Sequence, residues 1–308
     1  APWLSATAAP QPFVEAIAAV TADVVHVNGL IFPGLVSAIR KRVGPSPAIV
    51  VQHHGGEFPV RAQGWLGAWQ RRQWRKGLDA ASALSFTAHT QAGAWRDAGV
   101  IGSQPIIEII EASTWLRPSP RSRAQQLTGV TADPLILWVG RLTTNKDPLA
   151  VLDGFERALT TLPHAQLVMI FGDDTLRDAV EQRLASSPRL RSTVVLVGRV
   201  DHHELAHYYG AADLFVSGSH YEGSGYALIE AMAAGLTPVV TDIPSFRVIA
   251  GSCAQYWPVG DPVALGHALT AAAHGNREQQ RTATLQQFDT HVSWTAIAAR
   301  TMTAYETA

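Results

Sequence analysis

Two short segments carry the residue types needed for chemistry on a charged, hydroxyl-rich ligand. The first is Gly140-Arg-Leu-Thr-Thr-Asn-Lys-Asp147, with Pro148 opening the stretch that follows. Arg141 and Lys146 therefore sit on a loop between an apolar run and the N-terminus of a helix. Two fixed cations beside free backbone N–H groups form an anion clamp; the plainer alternative is a surface Arg and Lys on an ordinary turn. The second segment is Ser217-Gly-Ser-His-Tyr-Glu-Gly-Ser-Gly-Tyr-Ala-Leu-Ile-Glu230. Gly223-Ser224-Gly225 directly follows Glu222, and a helix starting near Tyr226 aims its N–H groups at the same place. Glu222 falls on the loop and Glu230 about one turn into the helix. Ionised carboxylates accept strongly from sugar hydroxyls. A tight turn and a capped, alanine-rich core helix would account for every residue here except the loop glutamate.

Loops present such groups only if strands hold them. Short apolar runs alternate with helix-length stretches along the chain, the pattern of a parallel sheet with crossover helices. Strands are expected at 24–27, 48–51, 83–88 and 106–110, and again at 135–139, 167–171, 194–197, 213–217 and 237–241. The runs are continuously apolar, as in strands covered on both faces. Between the two groups lies Arg117-Pro-Ser-Pro-Arg-Ser-Arg123, polar and proline-rich. The expected organisation is one unit over 1–118, a linker over 119–134, a second unit over 135–290, and a C-terminal helix over 291–308 crossing back to the first. Doubly wound sheets bind ligands outside the carboxyl ends of their strands. Arg141, Lys146 and Glu222 all fall there.

Composition narrows the function classes. A chain of 308 residues suggests two domains at about 150 residues each. Charged residues make up 16%, below the usual ~25%, and hydrophobic residues 47%, which excludes charge-driven disorder and allows a sizeable core. With 24 basic and 25 acidic side chains there is no global field to mark a nucleic-acid binder. The single cysteine, Cys253, excludes a disulfide framework or a cysteine-based metal site. No apolar run approaches the ~18 to 20 residues of a membrane span. The first twenty residues lack a basic n-region and carry Pro2, Pro10, Pro12 and Glu15, unlike a signal peptide. A soluble, cytoplasmic, two-domain protein is expected.

The motifs together resemble a known family. Gly140-Arg141-Leu142 with Lys146, then Gly198-Arg199-Val200, Ala212-Asp-Leu-Phe-Val-Ser217 and Glu222 to Glu230, are similar to the retaining glycosyltransferases of family 4. Asp23-Val-Val-His-Val-Asn-Gly29 and Val51-Gln-His-His-Gly-Gly56 resemble the acceptor-side half of that family. The resemblance implies the α/β GT-B fold, two Rossmann-like doubly wound domains facing a cleft, with a nucleotide sugar held mainly by the second. It implies that Arg141 and Lys146 hold the donor diphosphate beside Gly140, helped by the N–H groups of Gly225 and Tyr226 in the Gly223-Ser224-Gly225 turn. Glu230 would then bind the ribose, Glu222 and His54 would lie against the transferred sugar as the catalytic residues, and Arg199 would belong to the base-binding loop. Nothing before Asp23 resembles the family's opening strand and Gly-rich loop, and only about four strands precede the boundary, so a shortened first domain is expected. Since Ala1 is not an initiator methionine, the chain is expected to be a fragment or a shortened member. Glu111-Ala-Ser-Thr-Trp-Leu-Arg-Pro118 also stands where the family more often has Asn-Gly.

Two other features point elsewhere. His203-Glu204-Leu-Ala-His207 matches the zinc metalloprotease pattern of two histidine ligands and a glutamate base. At 100° per residue, however, Leu205, Tyr208, Tyr209 and Ala212 share the core face, which leaves both histidines on a solvated one. Arg61, Arg71, Arg72, Arg75 and Lys76 lie in a stretch free of acidic residues and interleaved with Trp65, Trp69 and Trp74. A core-packing helix with a basic outer face explains it; peripheral contact with anionic headgroups at the inner face of a membrane is the functional reading.

The expected function is transfer of a hexosyl unit, with retention, from a nucleotide-diphosphate sugar to a glycan, lipid-linked or small-molecule acceptor. No Asp-x-Asp motif is present to hold a divalent metal, and no cofactor beyond the donor is expected. The alternatives are a donor-binding protein without full catalysis and the zinc protease.

Overall fold

A computed structural model of the chain describes residues 11–55 and 64–307. The chain forms two compact units, Ala1–Glu111 with Ile297–Ala308, and Ala112–Ala296.

The first unit holds a parallel sheet in the order β1-β2-β3-β4, with β1 Val24–Asn28, β2 Ala48–Gln52, β3 Ala83–Phe86 and β4 Ile106–Glu108. Each strand is fed by a helix, and the buried face of the sheet (Ile49, Val51, Leu84, Phe86) packs on Val36, Ile39, Trp74, Leu78 and Trp95 from those helices. Burying these side chains stabilises by roughly 1.5–3 kcal/mol each before the entropy of ordering is counted. The helix Trp294–Thr307 closes the chain, and Tyr305 ties it to β1: its hydroxyl donates to His26 Nδ1 at 2.5 Å, while His26 Nε2 donates to Gln52 Oε1 at 2.9 Å. Burial, foremost, and then the neighbouring His54 hold the His26 imidazole below its ordinary value against the opposing Gln52 bond, so neutral His26 suits its role as acceptor.

The second unit holds a six-stranded parallel sheet in the order β10-β9-β8-β5-β6-β7. Its strands are β5 Leu135–Gly140, β6 Gln166–Phe171, β7 Val194–Gly198, β8 Leu214–Ser217, β9 Thr237–Thr241 and β10 Gln255–Trp257. The chain enters at β5, winds outward through β6 and β7, then returns to the other side of β5 at β8. The direction of winding therefore reverses between β5 and β8, and the carboxyl ends at such a reversal are where doubly wound sheets bind their ligands.

The nine strands read from the sequence are present, because strands covered on both faces are uniformly apolar. The tenth, β10, has only three residues at the edge of the sheet and is too short for a pattern. The domain boundary differs from the expected 118/119 and lies at 111/112, and the supposed linker 119–134 is part of the second unit. The helix Arg121–Thr128 is pinned there by two bonds from Arg121 to Asp213, at 2.7 and 3.1 Å. The return to the first unit comes at 296/297, inside the last helix, where 291 was expected. Among the described residues, no helix is long and apolar enough to cross a membrane.

Candidate functional site

The loop after β5 and the loop after β8 meet at the switch point and are stitched together. Asn145 acts as a two-pronged clip: its side-chain amide donates to Tyr221 O at 3.0 Å and accepts from Tyr221 N at 3.1 Å. Its backbone carbonyl accepts from His220 N at 2.8 Å. His220 Nε2 lies 2.9 Å from Asp147 Oδ2. Asp147 is held in the left-handed region (φ 42°), a costly conformation for a non-glycine residue, and its other oxygen caps the helix Pro148–Ala158 by accepting from Ala150 N. Gly218 allows this approach. A Cβ there would stand 3.0 Å from Val151 Cγ2 and 3.1 Å from the carbonyl oxygens of Asp147 and Lys146.

The clip brings Lys146 against Glu222. The ammonium and the carboxylate form an ion pair, with side chains 18% and 14% exposed. Ser219 also donates to Glu222 Oε1, at 2.7 Å, and the Ser219 carbonyl accepts from Thr241 at 2.6 Å, which anchors the loop to the end of β9. A cation and an anion 76 positions apart thus share one partly dried spot beside the switch point.

Beyond Glu222 the chain turns through buried Gly223, half-buried Ser224 and Gly225 into the helix Tyr226–Ala233. Gly225 caps the helix at φ 63°, and a Cβ there would meet Ile249 Cδ1 at 3.1 Å. The first-turn N–H groups have no intrahelical acceptor, so this end attracts an anion; Tyr226 at its tip is exposed. Glu230, one turn in, is buried, accepts from the fully buried Tyr209 hydroxyl at 3.0 Å and has His202 Nε2 3.0 Å from its other oxygen. Burial, then the Glu230 charge, drive the Tyr209 phenol well above its ordinary value, so it remains a donor. The His202 side chain is 71% exposed and so is free to move aside.

The other residues singled out lie around this edge. Gly140 ends β5. Exposed Arg141 follows it, and the loop carrying it is paired to the β6 loop through Leu142 N and Asp173 O at 2.8 Å. The Asp173 carboxyl is held below its ordinary value first by Thr175 and, to a lesser degree, by the Arg141 charge. Arg199 follows β7 and donates to Gly172 O at 3.2 Å.

His54 belongs to the first unit, just past β2. Its Nδ1 lies 3.0 Å from Glu111 Oε2; the imidazole is 44% exposed and the carboxylate side chain 1% exposed. In the sequence Glu111 reads only as a departure from Asn-Gly. Asn145, His202 and Tyr209 carry no signal there because their partners lie 76, 28 and 21 positions away, and Ser219, three positions from Glu222, is anchored by Thr241 22 positions on.

The zinc-like motif comes apart. His203 is exposed, and Glu204 folds back over the start of its own helix to form a capping box with Asp201. His207, expected on a solvated face, is half-buried, with Nδ1 2.7 Å from Ser119 Oγ, because the segment before the helix Arg121–Thr128 packs over it. No group of three or more metal-ligating side chains occurs among the described residues. In the basic stretch, Arg61 and the side chain of Trp65 lie outside the described residues. Arg75 is tied to Asp79 at 2.6 Å, and Trp74 is buried. Trp69, Arg72 and Lys76, spaced three and four apart, form one exposed stripe of the helix Gly64–Leu78.

The sequence pattern of the family described as glycosyl transferases group 1 matches residues 122–282. A GDP-mannose:cellobiosyl-diphosphopolyprenol alpha-mannosyltransferase from Xanthomonas campestris is 27% identical over 299 residues, 94% of this chain and 75% of that protein. A phosphatidyl-myo-inositol mannosyltransferase from Mycobacterium leprae is 25% identical over 291 residues, covering 92% and 73%. In fold, the chain is similar to a sucrose-phosphate synthase from Thermosynechococcus elongatus, with a TM-score of 0.70 at 22% identity over 96% of this chain and 77% of the other.

Proposed function

The chain belongs to the glycosyl transferases group 1, and from that premise we propose that it moves a hexosyl unit from a nucleoside-diphosphate sugar to an acceptor, with retention of configuration and without a metal ion. The observation that carries this reading is the Lys146–Glu222 pair at the β5/β8 switch point, beside a helix N-terminus and Arg141. Departure of the diphosphate builds negative charge, and pre-placed cations and N–H dipoles stabilise that charge without reorganising. Arg141, Lys146 and the N–H groups of Gly225 and Tyr226 take the phosphates. Glu230 takes the ribose hydroxyls through the oxygen that His202 now covers, while Tyr209 fixes the other. Glu222, released from Lys146, faces the transferred sugar and Arg199 borders the base; the family resemblance assigns His54, in the first unit, to the sugar as well.

Two relatives bear names that specify mannosyl transfer to lipid-linked acceptors, which makes GDP-mannose the first donor to try and an anionic lipid-linked compound the first acceptor. The stripe of Trp69, Arg72 and Lys76 supports peripheral contact with anionic headgroups on the cytoplasmic side of a membrane. The test is donor turnover by the whole chain in EDTA, with the product anomer read by NMR. Undiminished turnover, a retained anomer and a loss of about 10²-fold or more in Arg141→Ala and Lys146→Ala are expected, the scale of one transition-state charge contact. Inactivation by EDTA or an inverted product would overturn the reading; binding of donor without turnover would leave a donor-binding protein.

A further inference from the structure

We propose that His202 competes with the ribose of the donor for Glu230. An entering nucleotide displaces the imidazole and its ribose diol takes the vacated oxygen; this rests on the reading of Glu230 as the ribose contact. One helix, His202–Ala211, supplies both side chains that hold this carboxylate. His202 and Tyr209 are seven positions apart, two turns of helix, and so share a face. The Tyr209 hydroxyl donates to Glu230 Oε2 at 3.0 Å, and His202 Nε2 is hydrogen-bonded to Oε1 at 3.0 Å. The second bond occupies Oε1 whichever partner carries the proton, because an imidazole nitrogen can donate to a carboxylate or accept from a carboxyl group. The helix itself fixes where His202 stands. Asp201 caps it in a capping box with Glu204, which makes His202 its first residue, four positions past the end of β7.

The two holds differ in what it takes to release them. Tyr209 is fully buried, so its ring cannot leave Glu230 without opening a cavity in the core. The His202 side chain is 71% exposed against 11% for Glu230, so the imidazole turns out into water at the loss of one bond. Of the two oxygens, only Oε1 can therefore be vacated for a ligand. Such a largely exposed pair adds little to stability, and its consequence falls on whatever reaches Oε1. Arg199, read as bordering the base, is three positions before His202, so a nucleotide that engages both Arg199 and Glu230 meets the imidazole. A ribonucleotide exchanges one bond at Oε1 for another. A nucleotide without the diol has nothing to offer that oxygen and leaves the imidazole in place. His202 thus sets how strongly the site distinguishes ribose from its deoxygenated forms.

The experiment is calorimetry of the whole chain with whichever of GDP, UDP and ADP binds it most tightly, and with the 2′,3′-dideoxy form of that nucleotide. His202→Ala is expected to bind the ribonucleotide about threefold more tightly than the wild type does, the scale of one partly exposed net hydrogen bond. Its affinity for the dideoxy form is expected to match that of the wild type. His202→Gln, whose amide can donate to the same oxygen, is expected to bring the ratio of the two affinities back toward the wild-type value. Because His202 is largely exposed, urea midpoints of both variants are expected to match the wild type and so report intact folding. A His202→Ala variant that binds the ribonucleotide more weakly, or that leaves the ratio unchanged, would overturn the proposal. A ratio near one in both the wild type and His202→Ala would remove the ribose contact of Glu230, and the proposal with it. A preference for the ribose form that is the same in both proteins removes the part of His202 alone. Failure of all three nucleotides to bind would remove the donor site on which both readings rest.

Discussion

Neutralising Glu222 should tighten the binding of a bare nucleoside diphosphate while slowing sugar transfer. In the free protein Glu222 holds Lys146, so an incoming phosphate must take that cation from a carboxylate that also repels it. A unit charge about 7 Å from a phosphate, at an effective dielectric near 20, contributes about 2 kcal/mol of repulsion. Residual exposure of 14% at Glu222 admits solvent screening, so about half of that is a fair expectation, or roughly a fivefold gain in affinity for Glu222→Gln. Lys146→Met should do the opposite, because it removes the cation and keeps the Glu222 charge in place beside Ser219. The double variant should fall between them, with a coupling of about 1–2 kcal/mol.

Calorimetry of GDP and UDP against the four proteins, at low and moderate salt, makes the comparison. The advantage of Glu222→Gln should shrink as salt rises, because screening shortens the reach of the carboxylate. Weaker diphosphate binding in Glu222→Gln, matching the loss in Lys146→Met, would refute the reasoning: Glu222 would then be organising the loop rather than competing for Lys146. Turnover should fall in Glu222→Gln regardless, and this separation of affinity from kcat distinguishes a residue acting on the sugar from one acting on the phosphates.

Three further outcomes are expected. Gly225→Ala forces a side chain into the left-handed region and against Ile249, so it should cost about 1–2 kcal/mol in urea unfolding and weaken diphosphate binding; an unchanged midpoint would refute the strain. His203→Ala should shift stability by less than about 0.5 kcal/mol and His207→Ala, which loses Ser119, by about 1 kcal/mol, with neither abolishing turnover; loss of activity in both would revive the zinc reading. Because burial holds His26 below its ordinary value near 6.5, the unfolded chain takes up that proton first, so this contribution is intact above about pH 6.5 and is lost as pH falls from there toward the folded value. His26→Gln should flatten that part of the pH dependence of the urea midpoint, and an identical slope in both proteins would count against it.

The strands were legible because a parallel sheet covered on both faces demands uninterrupted apolar runs, and the site loops were legible because they follow those runs. Other features depended on partners far away in sequence. Arg117 to Arg123 reads as a polar linker, yet Arg121 grips Asp213, 92 positions on, and Ser119 meets His207, 88 positions on. Lys146 and Glu222 were both singled out, but nothing in their spacing says that they touch. The helical wheel that set His207 on a solvated face considered only its own helix and could not include the segment packed over it. Glu111 reads in the sequence as a missing Asn-Gly, and its place 3.0 Å from His54 Nδ1 depends on a strand far earlier in the chain.

The pairing of Lys146 with Glu222 also bears on how a loop-built site can be ready for its ligand. Two basic residues on a flexible turn would repel each other and pay rotamer entropy on every binding event. Here the turn is clipped by Asn145, capped through Asp147 and pressed against Gly218, while Glu222 pairs with the Lys146 ammonium. In the proposed function, diphosphate binding exchanges one anionic partner of Lys146 for another. In that proposal the carboxylate that opposes phosphate in the free protein is, after the exchange, the acceptor facing the sugar. Competition at Lys146 and action on the sugar are thus two consequences of one placement, which is why Glu222→Gln should move affinity and turnover in opposite directions.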